Sequence, residues 1–370
     1  KMKKNYAPLV AHVNNRIDLT YIIGELIGEL NVGHAYVGGG DYTKADRVKV
    51  GLLGAQLVRD ASGYYKIQKI YKGRNWDKNY RSPLTEIGVE AKEGDFIVAV
   101  NGVSVKGMNN IYESLIGTAD KQVMLKINSK ASEDGAKEFT LVPVDDEHDL
   151  LYFNWVQNNI EKVSKATGGK VGYIHIPDMG VPGLNEFVKY YYPQLGKEAL
   201  IIDVRGNGGG NVSPMIIERL QREMAQINMV RNGVPSPNPG GLHLGPKVAL
   251  CDEFSASDGD IFTYRFKHYK LGTVIGKRTW GGVVGIRGSL PFVDGGSLNR
   301  PEFSRYDVDG KEWIMEGYGV DPDIVVDNDP VKEYEGVDEQ LQKGIETILN
   351  DLKTKKQTLP DPPPYPVKNK

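Results

Sequence analysis

Between Leu150 and about Leu352, short apolar runs alternate with amphipathic helical stretches, and no other feature of the sequence restricts the fold as much. The runs are Lys170 to Ile176, Ala199 to Val204, Lys247 to Cys251 and Thr273 to Gly276. Between them Leu184, Phe187, Val188 and Tyr191, then Ile216, Ile217, Leu220 and Met224, recur at helical spacing. A strand buried on both faces reads as an unbroken apolar run, and such strands joined through helices build a mainly parallel sheet. A further amphipathic helix carries Leu341, Ile345, Ile348, Leu349 and Leu352. Beyond it, Pro360-Asp361-Pro362-Pro363-Pro364-Tyr365-Pro366 cannot be helical and is expected to run extended over the surface.

The pattern before Leu150 differs. From Asn14 to Leu30, Ile23, Leu26, Ile27 and Leu30 share a helical face, and the helix is expected to stop at Asn31-Val32-Gly33. It is too short to bury a core of its own, so this stripe is expected to dock on the α/β region. From about Lys49 to Val144 the spacing turns to short strands: Tyr64 to Tyr71, Phe96 to Val100 with an Asn101-Gly102 turn, Val123 to Ile127, and Phe139 to Val142. A short helix is expected from Asn110 to Leu115. This stretch resembles a PDZ domain. Gly51-Leu52-Leu53-Gly54 looks like the carboxylate-binding loop, Ser82-Pro83-Leu84 precedes a helical turn, and Lys92 to Gly102 matches the most characteristic PDZ segment. Such domains bind extended peptide termini by adding a strand to a sheet edge.

Composition removes several classes of function. Lys plus Arg number 46 against 48 Asp plus Glu, so a net charge of −2 leaves no basic footprint for nucleic acid or anionic membrane. The single cysteine, Cys251, excludes an internal disulfide and a Cys-based zinc site, and the six histidines lack metal-ligand spacing. No metal and no cofactor is therefore expected. The longest apolar runs fall far short of the ~20 residues of a membrane span. Lys1-Met2-Lys3-Lys4 has no apolar segment behind it, so no signal peptide is read in this sequence. Glycine, at 44 residues of 370, is well above its usual ~7% share and implies close backbone approaches.

Two strand-to-helix junctions could carry chemistry. Asp203-Val204-Arg205-Gly206-Asn207-Gly208-Gly209-Gly210-Asn211 follows one apolar run and precedes a helix that Ser213 can cap and Pro214 can start. Its glycines would let the backbone aim N–H groups at a ligand, or would only form a tight turn. Ser257, in Asp252 to Phe262, follows another run. At a helix N-terminus it could be a nucleophile whose developing oxyanion meets free N–H groups, or a plain N-cap. No phosphate-binding G-x-x-x-x-G-K-[ST], H-E-x-x-H or G-x-S-x-G motif occurs.

Taken in order, Gly28 to Tyr36, a PDZ insertion, Tyr173 to Asp178, Ile202 to Gly210, Ser257 to Phe262, Arg278 to Gly285 and Tyr318 to Asp323 resemble the C-terminal half of the tricorn protease family. These are serine peptidases related to the tail-specific C-terminal processing peptidases. The resemblance implies an N-terminal helical segment over 1–44, a PDZ-like domain over 45–146, a crotonase/ClpP-like α/β peptidase domain over 147–355 and a Pro-rich tail over 356–370. It implies Ser257 as nucleophile, His34 as general base and Glu316 as the carboxylate that orients it. The N–H groups of Asp258 and of the Gly209-Gly210 turn, Gly210 foremost, would form the oxyanion hole. A Glu316 carboxylate beside His34 is expected to push the imidazole pKa upward. Substrates would be unfolded or short peptides, with no nucleic acid or membrane partner, a homo-oligomeric assembly and a cytoplasmic location, or a periplasmic one if a signal peptide precedes this chain. Gly33 departs from the family pattern, which has a serine there bonded to the triad carboxylate. Two alternatives stand beside this reading. A Ser–Lys dyad would need Lys277, since glycine occupies the matching Thr279-Trp280-Gly281-Gly282 position; a non-catalytic PDZ scaffold would need no activated serine.

Overall fold

In a computed structural model of the chain, which describes residues 1–355 and 358–368, internal packing divides the protein into two units. One is Lys44–Asn159; the other joins Lys1–Thr43 to Ile160–Lys370. Of the tail expected over 356–370, residues 356, 357, 369 and 370 lie outside the described residues, and the remainder forms no helix or strand.

The Lys44–Asn159 unit is built on an antiparallel sheet in the spatial order Ala55–Arg59, Tyr65–Ile70, Phe96–Val100, Val123–Asn128 and Lys137–Leu141. Along Val123–Asn128 buried residues alternate with half-exposed ones, as a sheet with one solvated face requires. Asn101 and Gly102 both take positive φ in the tight turn after Phe96–Val100. The helix expected at Asn110 is a 3₁₀ turn, Ile111–Leu115, capped by the Asn110 side chain. In the expected carboxylate-binding loop, Gly51 N–H donates to the Leu115 carbonyl and Leu52 N–H to the Val144 carbonyl. Gly54 N–H donates to Glu147 Oε1 at 2.5 Å, so the protein's own carboxylate takes that donor.

The second unit holds a five-stranded sheet in the order Ile324–Val325, Gly272–Gly276, Lys247–Cys251, Ala199–Asp203 and Val171–His175, every pair parallel. The four runs read from the sequence are the four longer strands, within a residue or two at each end. Alternate residues feed two cores. Ile174, Ile202 and Ala249 pack with Phe187, Ile216, Phe262 and Phe266 on one face. Tyr173, Ile201 and Leu250 pack with Val163, Leu341 and Ile348 on the other. Each such large side chain contributes about 1.5–3 kcal/mol on burial, against roughly 0–1 for an exposed ion pair. The layered core, not the surface charge, holds the unit.

The helix expected from Asn14 spans Arg16–Gly28, after a short helix Met2–Tyr6, with the Asn15 side chain accepting from Ile17 and Asp18 N–H. Ile23, Leu26 and Ile27 are half-buried, but Leu30 is exposed, a correction to the expected stripe. The helix ends at Gly28, so Leu30 lies past its last turn and leaves the face. What fastens this segment is a strand the sequence does not announce. Val37–Gly39 pairs antiparallel with Gly296–Phe303, which in turn pairs with Gly285–Pro291. An Arg16–Asp294 ion pair and a bond from Asn299 N–H to the Tyr36 carbonyl reinforce it.

Candidate active site

The loops that follow the carboxyl ends of three neighbouring parallel strands converge, the place where open α/β sheets form their clefts. After Lys247–Cys251 the chain reaches Ser257, which enters the Asp258–His268 helix with φ 55° and ψ −114°. Its side chain caps no helix N–H. Instead Ser257 Oγ lies 3.1 Å from His34 Nε2, within reach for proton transfer. His34 also has positive φ, 62°. Left-handed backbone at non-glycine residues costs on the order of 1–3 kcal/mol and clusters where a side chain must be aimed.

The glycine turn after Ala199–Asp203 is shaped by the approach of this serine. A Cβ on Gly209, whose φ is +91°, would lie 2.6 Å from Ser257 Cβ; one on Gly210 would lie 2.1 Å from the Met179 carbonyl oxygen. Gly209 lines the cleft, but its N–H donates to Asn207 Oδ1 at 2.9 Å. The N–H groups of Gly210 and Asp258 donate to no acceptor among the described residues. Asn207 fixes the turn further: its Nδ2 donates to the Ile176 carbonyl and its carbonyl accepts Ala256 N–H. Arg205, in the same motif, pairs with Asp203 and with Asp338, so the work of this pair is structural.

Ser213 does not cap its own helix. Its N–H and Oγ–H donate to the two carboxylate oxygens of Asp258, at 2.8 and 2.6 Å. The Asp258 carboxylate thus caps the Ser213–Gln221 helix and locks the backbone whose N–H stands beside Ser257. Asp260 accepts from the Thr279 hydroxyl and from Gly281 N–H, tethering the 279–284 loop.

Glu316 lies at the site but not on the imidazole. Oε1 accepts Gly33 N–H at 2.7 Å, and Oε2 accepts Val283 and Val284 N–H at 2.6 and 2.8 Å. His34 Nδ1 is buried and has no partner within strict hydrogen-bond geometry among the described residues, although the Val284 main chain beside it acts, like Glu316, to favour the charged ring. A Cβ on Gly33 would lie 3.1 Å from Glu316 Oε1 and 3.0 Å from Gly282 Cα, so a serine there would crowd both. Three main-chain donors thus satisfy the Glu316 carboxylate with no side chain at position 33. Burial pushes the His34 imidazole below its ordinary value; the Glu316 charge acts to raise it but is outweighed. The expected upward shift is therefore corrected: lost hydration exceeds the carboxylate's field.

A cavity of about 780 Å³ runs past Ser257, His34 and the glycine turn. Arg265 and Arg305 also line it. Neither arginine, nor the role of Val283 and Val284, was legible in the sequence; the only hint was that Arg278 to Gly285 forms a recurrent block without a lysine in it. Lys277 is held by Glu253 at 2.6 Å and Asp327 at 3.2 Å and does not line the cavity, which disfavours the dyad. His175 is buried against the Arg205 carbonyl, and Cys251 is buried with its thiol pushed up by desolvation. Among the described residues no cluster of metal-ligating side chains occurs and no helix is long and apolar enough to cross a membrane.

Residues 170–326 match the family model for peptidase family S41, and residues 51–146 match that for the tricorn protease PDZ domain. Tricorn protease of Thermoplasma volcanium is 38% identical over 97% of this chain and 35% of its own length. The tricorn protease homolog of Saccharolobus solfataricus is 39% identical over 94% of this chain and 32% of its own. A putative tricorn-like protease C-terminal subunit of Sulfurisphaera tokodaii is 39% identical over 95% and 40%. The chain thus spans roughly a third of the length of these relatives. A crystal structure of tricorn protease superposes with a TM-score of 0.87 at 35% identity, over 95% of this chain and 34% of that one.

Proposed function

Because this chain belongs to the tricorn protease family, within peptidase family S41, we propose that it hydrolyses peptide bonds with Ser257 as nucleophile and His34 as its general base. The single observation that carries the reading is the 3.1 Å approach of His34 Nε2 to Ser257 Oγ, made between two residues 223 apart in sequence. Burial favours neutral imidazole, the form that can take the serine proton. Ser257 Oγ attacks the peptide carbonyl as His34 Nε2 accepts its proton. The negative charge moves to the carbonyl oxygen, where the N–H groups of Gly210 and Asp258 are free to receive it. Collapse breaks the C–N bond, His34 returns the proton to the leaving amine, and an acyl-Ser257 ester remains. A water, deprotonated by the same imidazole, then releases the acid and restores Ser257.

Glu316 acts in this reading as a positioning residue, holding the main chain at Gly33 and the Val283–Val284 loop. Unfolded or short peptides are the substrate class, and the Lys44–Asn159 unit supplies peptide binding. We extend the proposal to a homo-oligomeric assembly, which sedimentation of the purified chain would reveal as a mass that is a multiple of 40.9 kDa. The functional test is turnover of internally quenched peptides by the purified chain and by Ser257→Ala. Hydrolysis that disappears in a folded variant supports the assignment; hydrolysis that persists overturns it.

A further inference from the structure

We propose that Arg265 and Arg305 make the cleft beside Ser257 a receptor for a substrate carboxylate. The inference rests on the reading of Ser257 as nucleophile. Both guanidinium groups line the same cavity as Ser257, His34 and Gly210. Each is steadied by a neutral acceptor: Arg265 Nη1 donates to Ser213 Oγ and Arg305 Nη1 to the Val283 carbonyl, both at 2.7 Å. Among the described residues neither lies in an ion pair, and each guanidinium carries five N–H donors. Among the described residues the one acid lining the cavity is Asp258, and both its oxygens already accept from Ser213. With His34 neutral, two cations thus face one anion, and each of its oxygens already accepts one bond from Ser213. Burial together with the neighbouring Arg265 charge disfavours the Arg305 cation, and Asp258 only partly offsets them.

What would enter such a cleft follows from the chemistry of its walls. A lysine or arginine side chain would add a third cation. An apolar side chain would strip water from the guanidinium N–H groups and offer no acceptor, leaving buried donors unsatisfied. A carboxylate accepts from them in charge-assisted, fork-shaped geometry. Ile261, Ile286 and Phe303 on the same walls suit the methylenes that carry it. Two sources present this group next to a scissile bond: the side chain of an acidic residue, and the free α-carboxylate of a short C-terminal fragment.

The test uses four peptides, with Glu or Gln immediately before the scissile bond, each ending in a free acid or an amide. For the full chain, kcat/KM should be about 10–100-fold higher for a carboxylate than for its isosteric amide at one of the two positions. The position identifies the source. In Arg265→Met and Arg305→Met that ratio should fall toward one, the amide peptide serving as the reference within each variant, while Arg305→Lys should keep part of it. The dissociation constants of the same peptides for Ser257→Ala give the ratio without turnover. Equal values for acid and amide at both positions, or a preference unchanged in both methionine variants, would overturn the proposal. Tighter binding of carboxylate peptides to Ser257→Ala, in a protein whose wild type cuts none of them, would refute the hydrolytic reading and leave the carboxylate receptor standing.

Discussion

Glu316 grips Gly33 through its main-chain N–H at 2.7 Å, one residue before His34, and makes no hydrogen bond to the His34 ring. The same carboxylate holds Val283 and Val284, so one side chain ties the segment that brings the base to the loop beneath it. The base is fixed through the backbone, and the carboxylate reaches the ring only as a charge.

Neutralising that charge has a definite sign. Glu316 acts to raise the His34 pKa, so in Glu316→Gln the imidazole should titrate lower still, and the acid limb of the pH–rate profile should move to lower pH. One amide nitrogen would also replace an acceptor facing these N–H donors. Turnover should fall on the order of 10²-fold, less than the ~10⁴ seen where an orienting carboxylate bonds the ring itself. A limb that moves upward would show that the carboxylate does not face His34.

The glycine turn admits no side chain. Gly209→Ala would set a methyl 2.6 Å from Ser257 Cβ at a φ of +91°. Stability should drop by about 1–3 kcal/mol, and turnover should fall at least 10²-fold as Ser257 is displaced. Urea titration and peptide turnover measure the two losses; an active, undiminished variant would mean that the turn does not abut the serine.

Lys277 separates the two serine mechanisms. Its ammonium is engaged by Glu253 and Asp327 near the surface. Such pairs contribute roughly 0–1 kcal/mol, so Lys277→Ala should fold, and its kcat should stay within about threefold of wild type. Loss of turnover in this variant with retention in His34→Ala would reverse the choice of base.

His243 should set part of the acid stability. It is buried, and desolvation with the nearby Lys247 charge lowers its pKa to about 4 from 6.5. A folded-state value below the unfolded one means that the unfolded chain binds the proton first. Stability is then whole above pH ~6.5 and is lost as pH falls toward 4, by about 3 kcal/mol for this group. His243→Gln, which can still donate to the Lys197 carbonyl, should lose that much less between pH 7 and 4 in urea titrations. An unchanged acid dependence would contradict the assignment.

The sequence made the central sheet legible because its strands are buried on both faces and read as bare apolar runs; Lys247–Cys251 emerges with its boundaries unchanged. The hairpin Gly285–Pro291 and Gly296–Phe303 was invisible for the opposite reason. Apart from Gly296 it is half-buried or exposed throughout, carries Gly288, Pro291 and Pro301, and shows no two-residue alternation. Yet Val37–Gly39 pairs with this hairpin, and that pairing carries the segment of His34. Ser257 was ambiguous by chemistry, since a helix-starting serine is most often a cap; backbone direction, which composition does not encode, decides that it caps nothing. Arg265 and Arg305 lie on separate elements and converge only in space.

The central claim is that His34 activates Ser257, and the most direct measurement is the rate at which a fluorophosphonate labels Ser257 as a function of pH. Peptide mapping should find the label on Ser257. The rate should rise with pH through a single titration centred below the ordinary histidine value of ~6.5, as burial of His34 requires. His34→Ala should remove the titration and slow labelling by about 10²–10⁴-fold. Labelling of His34→Ala at the wild-type rate, with the same pH dependence, would show that His34 is not the base.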